Sequence, residues 1–228
     1  MKIAAIIKRI AVALGEAGAH VICAGRSSCD DTLARIDSGE ALALDLSDPM
    51  AAKPIFADRS VDILVNNAGI IRRDDSVDLA EADWDDVMDV NLKALFFTCQ
   101  AFAKARFAQD ASGAIVNIAS LLSFQGGIRV PSYTASKHGV AGLTKVLANE
   151  WAAKGINVNA IAPGYIATNN TTALRADPVR NKAILERIPA GRWGDPSDIA
   201  GTAAFLCSQA ARYIHGAVLN VDGGWLAR

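Results

Sequence analysis

The sequence predicts an α/β fold, in which a doubly wound, Rossmann-type parallel sheet carries helices on both faces. Two observations predict it. Short apolar runs alternate with longer helical patterns along the chain, and nearly every run ends at a polar or glycine-bearing turn. Strands that are buried on both faces of a parallel sheet have this apolar character. With 228 residues, 51% of them hydrophobic and 21% charged, the chain can build one such core, and we expect a single domain over residues 1–228.

Six strands are expected from residue 20 onward, with four helices between them. The apolar runs predict strands at residues 20–24, 41–44, 61–65, 114–119, 156–161 and 217–221. Helical patterns follow at residues 81–107, 132–154 and, in two shorter segments, near 180–187 and 196–208. Ligands of open α/β sheets bind beyond the carboxyl ends of the strands. The polar and glycine clusters that follow the strands therefore predict one shared cleft.

The N-terminal segment departs from this rhythm. Its apolar residues recur with helical spacing, at Ile3, Ile6, Ile7, Ile10 and Leu14. This spacing favours one helix over residues 3–17. The alternative is a strand over residues 2–7 followed at once by a helix, which leaves almost no residues for the turn between them.

Charge, hydropathy and cysteine spacing exclude several functional classes. The 23 basic and 24 acidic residues give a net charge of -1 without a basic block, which argues against a nucleic-acid surface. No apolar run approaches the ~18 residues that span a bilayer, and the N-terminal segment is too short and too soon charged for a signal peptide. The four cysteines are Cys23, Cys29, Cys99 and Cys207, and they show no metal-ligand spacing, so we expect reduced thiols and no metal. Together these observations lead us to expect a cytoplasmic protein.

One group of residues predicts proton transfer. Tyr133 and Lys137 are four residues apart at the start of a predicted helix, which places them on one face. A nearby ammonium favours the phenolate and lowers the phenol pKa from its usual value near ~10, so the tyrosine can exchange a proton with an alcohol or ketone. Ser120, at the end of the fourth strand, can hydrogen-bond to the same oxygen. Asn91, a polar residue in an apolar helix, can join Lys137 to water.

Each of these signals is weak when taken alone. A Tyr-x-x-x-Lys pair is more often an ordinary helix face, and an isolated Asn in a helix is usually a satisfied polar group of the core. Their order and spacing in one α/β chain give the combination its weight. Two further segments that follow predicted strands add to this evidence: Asn66-Asn67-Ala68-Gly69 and Pro163-Gly164.

On these residues the sequence resembles the short-chain dehydrogenase/reductase family, which shows the Asn-Asn-Ala-Gly loop, a Ser, the Tyr-x-x-x-Lys pair and a later Pro-Gly. The likeness extends from Ile10 to Arg228. Longer blocks are similar to the members known as 2-dehydro-3-deoxy-D-gluconate 5-dehydrogenases or 2-deoxy-D-gluconate 3-dehydrogenases. These blocks are residues 69–73, 83–88, 120–137, 160–170, 188–194 and 221–228.

The resemblance implies a homotetrameric oxidoreductase that transfers hydride between a nicotinamide cofactor and a deoxy keto sugar acid. It implies that Tyr133 is the acid/base and that Lys137 lowers its pKa and holds the nicotinamide ribose. It further implies that Ser120 orients the substrate carbonyl and that Asn91 supports the proton relay. The other implied cofactor-binding residues are Asp45, Leu46, Asn67, Ala68, Gly69, Pro163, Gly164, Ile166 and Thr168.

Substrate and cofactor choice stay open. A sugar acid carries a carboxylate, which a guanidinium binds well, and the loop before Tyr133 supplies amide donors as well. The candidates for substrate contact are Arg72, Arg73, Gln125 and Arg129, besides Ser120. Arg26 follows the first predicted strand, with no acid before Asp30, and a basic residue there suits the 2′-phosphate of NADP. The similar proteins suggest NAD, so NAD is expected and NADP is the alternative.

The chain departs from the family at its N-terminal end. The first strand and the Thr-Gly-x-x-x-Gly-x-Gly turn, whose glycines let the backbone approach a pyrophosphate, are not found. The neighbouring strands would then carry unpaired backbone, which should lower stability and cofactor affinity together. Either the native start lies upstream, or the chain is a weakly active deletion product, or it is a silent oligomeric or binding member. The alternative enzyme is a 3-oxoacyl-carrier-protein reductase, which shares Ser120, Tyr133 and Lys137.

Overall fold

The computed structural model describes residues 4–228 and shows parallel strands covered by helices, as expected. Six strands lie in this part of the chain: β1 (Val21–Gly25), β2 (Gly39–Ala43), β3 (Ile63–Asn66), β4 (Gly113–Ile118), β5 (Ile156–Pro163) and β6 (Val218–Val221). The helices are α1 (Ala4–Glu16), α2 (Asp30–Leu33), α3 (Ile55–Asp58), α4 (Glu81–Met88), α5 (Ala94–Ala108), α6 (Pro131–Trp151), α7 (Thr172–Ala176), α8 (Pro178–Arg187) and α9 (Pro196–Leu206). All six predicted strands are confirmed, with bounds that shift by one or two residues.

The predicted helices are confirmed, with one irregularity. The helical segment expected at residues 81–107 is divided, because a π-helical turn, Asp89–Lys93, joins α4 to α5. Such wide turns interrupt the regular backbone ladder and are frequent at functional sites. The short helices α2, α3 and α7 were not predicted, because four or five residues are too few to show a helical period.

All strand pairs are parallel, and the strands form two sheets. One contains β1 and β2, and the other has the order β3-β4-β5-β6. Among the described residues, β1 pairs only with β2 and β3 only with β4. This is the interruption expected where the middle strand of the family's sheet is not found. The residues of β3 are only half-buried, whereas the last four residues of β4 are buried. This difference is expected when β3 lies at an open edge of the sheet.

From Ala4 onward the N-terminal segment is helical, as its spacing predicted, while Ile3 of that pattern lies outside the described residues. Helix α1 buries Ile6 and Ile10 in a cluster with Ile199 and Ala203 of α9. This cluster covers one face of the four-stranded sheet. Burial of each such aliphatic side chain contributes about 1.5–3 kcal/mol, so packing holds α1 in place without a strand beside it.

The opposite face of the four-stranded sheet packs against α5 and α6. Ile115 of β4 faces this second cluster, whereas the next residue, Val116, faces the first, because successive strand residues point to opposite faces. Phe102 of α5 and Val140 of α6 are fully buried there. Helix α6 is thereby fixed against the sheet, and the carboxyl ends of β3 to β6 lie along one edge beside its first turn.

Candidate active site

Helix α6 carries the two central side chains of the site. It begins at Pro131, whose fixed backbone suits the first turn of a helix. Tyr133 and Lys137 follow one turn apart, and the Lys137 Nζ lies 5.6 Å from the centroid of the Tyr133 ring. The expectation that they share one helix face is confirmed. Tyr133 is half-buried, and Lys137 is only 4% exposed.

Lys137 is held between α6 and the end of β4. Its Nζ donates a hydrogen bond of 2.7 Å to the carbonyl oxygen of Ile118, the last residue of β4. The Ser123 hydroxyl donates to the Lys137 carbonyl at 2.6 Å and fixes the backbone on the other side. Burial lowers the pKa of Lys137 to about 8, because the ammonium has lost most of its water. The side chain remains largely cationic at neutral pH.

The Tyr133 hydroxyl lies beside Ser120. Burial raises the pKa of Tyr133, while a hydrogen bond with Ser120 and the charge of Arg73 act in the opposite direction. Burial therefore outweighs the two groups that favour the phenolate, and the effect of Lys137 on this pKa stays a prediction. Ser120 begins a short 3₁₀ turn, Leu121–Ser123, and its Oγ accepts from the Leu122 N–H at 3.2 Å.

Asn91 lies in the π-helical turn and is 1% exposed. Its Oδ1 accepts from the Ile70 N–H at 2.7 Å, and its Nδ2 donates to the Ile70 carbonyl at 2.9 Å. The Nδ2 also donates to the Ser136 hydroxyl at 3.2 Å, which in turn donates to the Tyr133 carbonyl at 2.8 Å. The polar atoms of Asn91 thus join the loop after β3 to α6, and its part in a proton relay from Lys137 to water stays a prediction.

The loop after β3 offers an acceptor to the cleft. Asn66 donates to Asn117 Oδ1 at 3.0 Å and ties the loop to β4. The Oδ1 of Asn67 is buried and has no hydrogen-bond partner among the described residues. A Cβ on Gly69 would lie 3.3 Å from Asn91 Oδ1, so the backbone approaches closely there, while Ala68 is exposed. A buried acceptor without a donor fits a ligand that carries an amide or hydroxyl donor.

The loop after β5 closes the other side of this edge. Gly164 follows Pro163, and a Cβ on it would come within 2.5 Å of the Asp222 Cα, so only glycine fits. Ile166 is buried and pairs by a single bridge with Gly194. Thr168 begins the 3₁₀ turn Asn169–Thr171, with reciprocal hydrogen bonds to Thr171.

Arg26, Asp45 and Leu46 come together at the carboxyl ends of β1 and β2. The Arg26 guanidinium lies 3.9 Å from Asp45 Oδ1, and both side chains are more than half exposed. The backbone N–H of Ser47 donates to Asp45 and holds the pKa of that carboxyl below its usual value. Leu46 packs against the main core. A basic and an acidic group therefore stand together where the family binds the adenosine ribose.

Two of the candidate arginines are already bound by carboxylates. The Arg72 guanidinium pairs with Asp83 at 3.0 Å and with Asp86 at 2.8 Å, both on α4. Arg129 pairs with Asp75 at 3.1 Å and has a left-handed backbone, with φ 62°. Their charges are used to fix the loops that flank the cleft.

Arg73 differs from its neighbours. No carboxylate of residues 4–228 lies within 4 Å of it, and its charge favours the phenolate of Tyr133. It is exposed, so a ligand can reach it. Of the three arginines that the sequence predicted near the site, Arg73 is therefore the one whose charge is available to attract an anion bound beside Tyr133.

The C-terminal segment contributes to the site, which the sequence reasoning did not anticipate. Trp225 is 4% exposed, and its Nε1 donates to Gln125 Oε1 at 3.4 Å. The Tyr165 ring lies 4.6 Å from the Trp225 ring, and the Arg187 guanidinium lies 4.0 Å from it. The candidate Gln125 is thus fixed by Trp225. Aromatic residues after Pro-Gly and Gly-Gly are the signal that could have found this cluster.

The residues present fit a nicotinamide dinucleotide over most of the cleft, through the unpartnered Asn67 acceptor, the buried Lys137 cation and Arg26. The family's Thr-Gly-x-x-x-Gly-x-Gly pattern does not occur in the sequence, so the backbone contact to a pyrophosphate that this turn provides is not found among the described residues. No helix of residues 4–228 is long and apolar enough to cross a membrane. The same residues hold no group of three or more metal-ligating side chains.

Comparisons with known proteins agree with this geometry. The profile of a family described as Enoyl-(Acyl carrier protein) reductase matches residues 3–226. The 2-dehydro-3-deoxy-D-gluconate 5-dehydrogenase of Dickeya dadantii is 53% identical over 228 residues, covering 96% of this chain and 90% of the relative. The enzyme of that name from Bacillus subtilis is also 53% identical over 228 residues, covering 96% and 89%.

Solved structures give the same result. A structure from Agrobacterium tumefaciens, provisionally assigned as a 2-deoxy-D-gluconate 3-dehydrogenase, was determined with bound NADP. It superposes with a TM-score of 0.97 at 71% identity, covering 98% of this chain and 93% of that one. A gluconate 5-dehydrogenase from Burkholderia cenocepacia, in complex with NADP and tartrate, gives 0.90 at 33% identity, covering 98% and 91%. The chain therefore belongs to the short-chain dehydrogenase/reductase family.

Proposed function

We propose that this chain is a nicotinamide-dependent dehydrogenase acting on a deoxy keto sugar acid of the 2-dehydro-3-deoxy-D-gluconate type. The observation that carries the proposal is the Tyr133 hydroxyl beside Ser120, on an edge where the charge of Arg73 is also felt. Tyr133 provides the acid/base, Ser120 a hydroxyl that donates a hydrogen bond, and Arg73 a cation. These groups suit a substrate that carries both a hydroxyl and a carboxylate. The names of the relatives support the substrate class.

The chain's own residues would move the proton. In the oxidation, Tyr133 takes the proton of the substrate hydroxyl, and Ser120 donates a hydrogen bond to the same oxygen. The Lys137 cation and Arg73 favour the phenolate that receives the proton, and Asn91 holds the backbone around Tyr133. When bound, the nicotinamide supplies the hydride acceptor. Ketone reduction is the reverse.

The cofactor would lie along the carboxyl ends of the strands. Asn67 to Gly69, Lys137 and Tyr133 would hold its nicotinamide half, and the loop from Pro163 to Thr168 would cover it. Arg26 suits the 2′-phosphate of NADP, which is the form bound in the two solved structures above. NAD remains a second cofactor, because Asp45 stands beside Arg26.

Arg73 is the residue proposed to hold the substrate carboxylate. Replacing it by alanine should raise KM for the sugar acid by roughly tenfold to a hundredfold, the size of one charge-assisted hydrogen bond. A neutral sugar of the same skeleton should show little change. Arg72→Ala is the matched comparison, because its guanidinium is already paired with Asp83 and Asp86. A larger effect at Arg72 than at Arg73 would reverse the assignment.

The test of the function is a substrate panel. The purified chain is incubated with 2-dehydro-3-deoxy-D-gluconate and NAD or NADP, or, in the reductive direction, with an acetoacetyl thioester and NADH or NADPH. The absorbance of the reduced nicotinamide is followed in both directions. Turnover of the sugar acid alone supports the proposal. Turnover of the thioester alone would instead indicate a 3-oxoacyl-carrier-protein reductase.

A second candidate is a binding member that no longer turns over, which is favoured by the open edges of β1 and β3. Calorimetry distinguishes the two candidates. Binding of NADP without turnover of any sugar acid supports the second, and the absence of binding to either dinucleotide would leave only an oligomeric role.

We also propose a cytoplasmic, single-domain homotetramer over residues 1–228. An open apolar groove of about 600 Å³ lies between the π-helical turn and α6, and a second copy of this chain suits its partly exposed apolar lining: Met88, Leu92, Phe96 and Leu143. Gly142 also lines the groove, and a Cβ there meets nothing within 4 Å. Gly142→Trp should therefore fold and dissociate the assembly in light scattering. An unchanged mass would argue against this interface.

A further inference from the structure

Two thiols lie together at the adenosine end of the cleft. Cys23 is the middle residue of β1, and Cys29 directly precedes α2. The Cys29 Sγ lies 3.8 Å from the Cys23 carbonyl oxygen, within hydrogen-bond distance for sulfur. Neither side chain has a part in the chemistry proposed for Tyr133.

The two thiols differ in their surroundings. Both are half-buried. Burial, and then the neighbouring Cys29, raise the pKa of Cys23 to about 11, so Cys23 remains a thiol at neutral pH. Cys29 sits on the exposed turn between β1 and α2, where a dissolved reagent can approach it. The other cysteines lack such a neighbour: Cys99 is fully buried, and burial alone raises the pKa of Cys207 to about 12.

We propose that Cys23 and Cys29 form a redox modification site, in which a low-molecular-weight disulfide such as oxidised glutathione converts them to an intrachain disulfide. The Cys29 thiolate attacks one sulfur of the oxidant and releases one small thiol. The Cys23 thiol then loses its proton and attacks the Cys29 Sγ in the mixed disulfide, which releases the second small thiol. Two protein thiols are oxidised, the small disulfide is reduced to two thiols, and the two protons pass from the protein to these products.

The disulfide would change the position of Arg26, which lies between the two cysteines in the sequence. Arg26 lies midway between the two cysteines, and its role toward the 2′-phosphate rests on the proposed function. A disulfide holds the two Cβ atoms about 3.5–4.5 Å apart, so it would fix both ends of the turn that carries Arg26. We expect NADP affinity to fall by roughly tenfold, as for the loss of one hydrogen bond to a charged group. NAD, which lacks the phosphate, should be affected less.

Trypsin provides a direct test, because it cleaves after Arg26 and separates the two cysteines. Peptides 10–26 and 27–35 carry Cys23 and Cys29 respectively. After treatment of the whole protein with oxidised glutathione, the unreduced digest should contain these peptides joined, and reduction should release them. Cys29→Ser should abolish the joined species, whereas Cys207→Ser, the matched control, should retain it. Absence of the joined peptides in the wild-type protein would overturn the proposal.

The consequence for the cofactor is measured separately, by calorimetry with NADP before and after oxidation. A loss of affinity that dithiothreitol reverses, and that Cys29→Ser does not show, supports the coupling to Arg26. Joined peptides with unchanged affinity would overturn that coupling. If the reduced protein binds no NADP, the cofactor assignment fails, and the peptide experiment alone decides whether the disulfide forms.

Discussion

Replacement of Lys137 by methionine should change how the stability of the chain depends on pH. Lys137 is 4% exposed, and burial lowers its pKa from 10.5 to about 8. Between these two values the unfolded chain binds a proton that the folded chain does not. The free energy of unfolding of the wild type, relative to the methionine variant, therefore rises as the pH passes through this window. From the folded pKa to pH 9.5 is roughly 1.5 pH units, which corresponds to about 2 kcal/mol.

The assay is urea unfolding of both proteins, followed by far-ultraviolet circular dichroism at pH 7 and pH 9.5. Other titrating groups contribute equally to both proteins and cancel in the difference. At pH 7 the variant should match or exceed the wild type in stability, because an apolar side chain replaces a buried charge whose only hydrogen bond within the described residues is to Ile118. A difference between the two proteins that stays constant over this pH range would refute the reasoning that burial sets the Lys137 pKa.

Two further predictions concern the framework of the site. Asn91→Ala should lower the free energy of unfolding by about 2–4 kcal/mol, because both backbone groups of Ile70 lose their hydrogen-bond partner. Urea unfolding measures this loss. A loss below about 1 kcal/mol, which is typical of a surface substitution, would contradict the prediction. Gly164→Ala should destabilise the folded chain by about 1–3 kcal/mol, because the new Cβ clashes with Asp222. Gly201→Ala in α9 should stabilise it by about 0.5–1 kcal/mol, because the space around that Cβ is open. Equal melting temperatures of the two variants and the wild type would contradict both predictions.

Local patterns carried most of the fold. The spacing of Ile6 and Ile10 predicted α1, and continuous apolar runs predicted the strands, because burial on both faces of a sheet leaves a direct record in the sequence. The division of the sheet between β1 and β3 followed from recognising which strand was not found. The π-helical turn at Asp89–Lys93 was not predictable, because its residues continue the apolar helical pattern on both sides.

The site was predictable in its members and less so in their partners. The i to i+4 spacing placed Tyr133 and Lys137 on one face, as a helix requires. The separation of Arg73 from Arg72 depends on where α4 presents its carboxylates, which is a tertiary contact without a local signal. The contact of Trp225 with the loop before α6 joins residues a hundred positions apart, so no spacing rule could have indicated it.

The most direct test of the central claim compares the wild type with Tyr133→Phe in the turnover of 2-dehydro-3-deoxy-D-gluconate with NADP. The substitution removes only the hydroxyl that lies beside Ser120. The proposal predicts turnover by the wild type and a kcat lower by about 100-fold or more in the variant, the usual contribution of a general acid/base, with an unchanged melting temperature. A variant that retains the wild-type kcat, or a wild type without turnover, would contradict it.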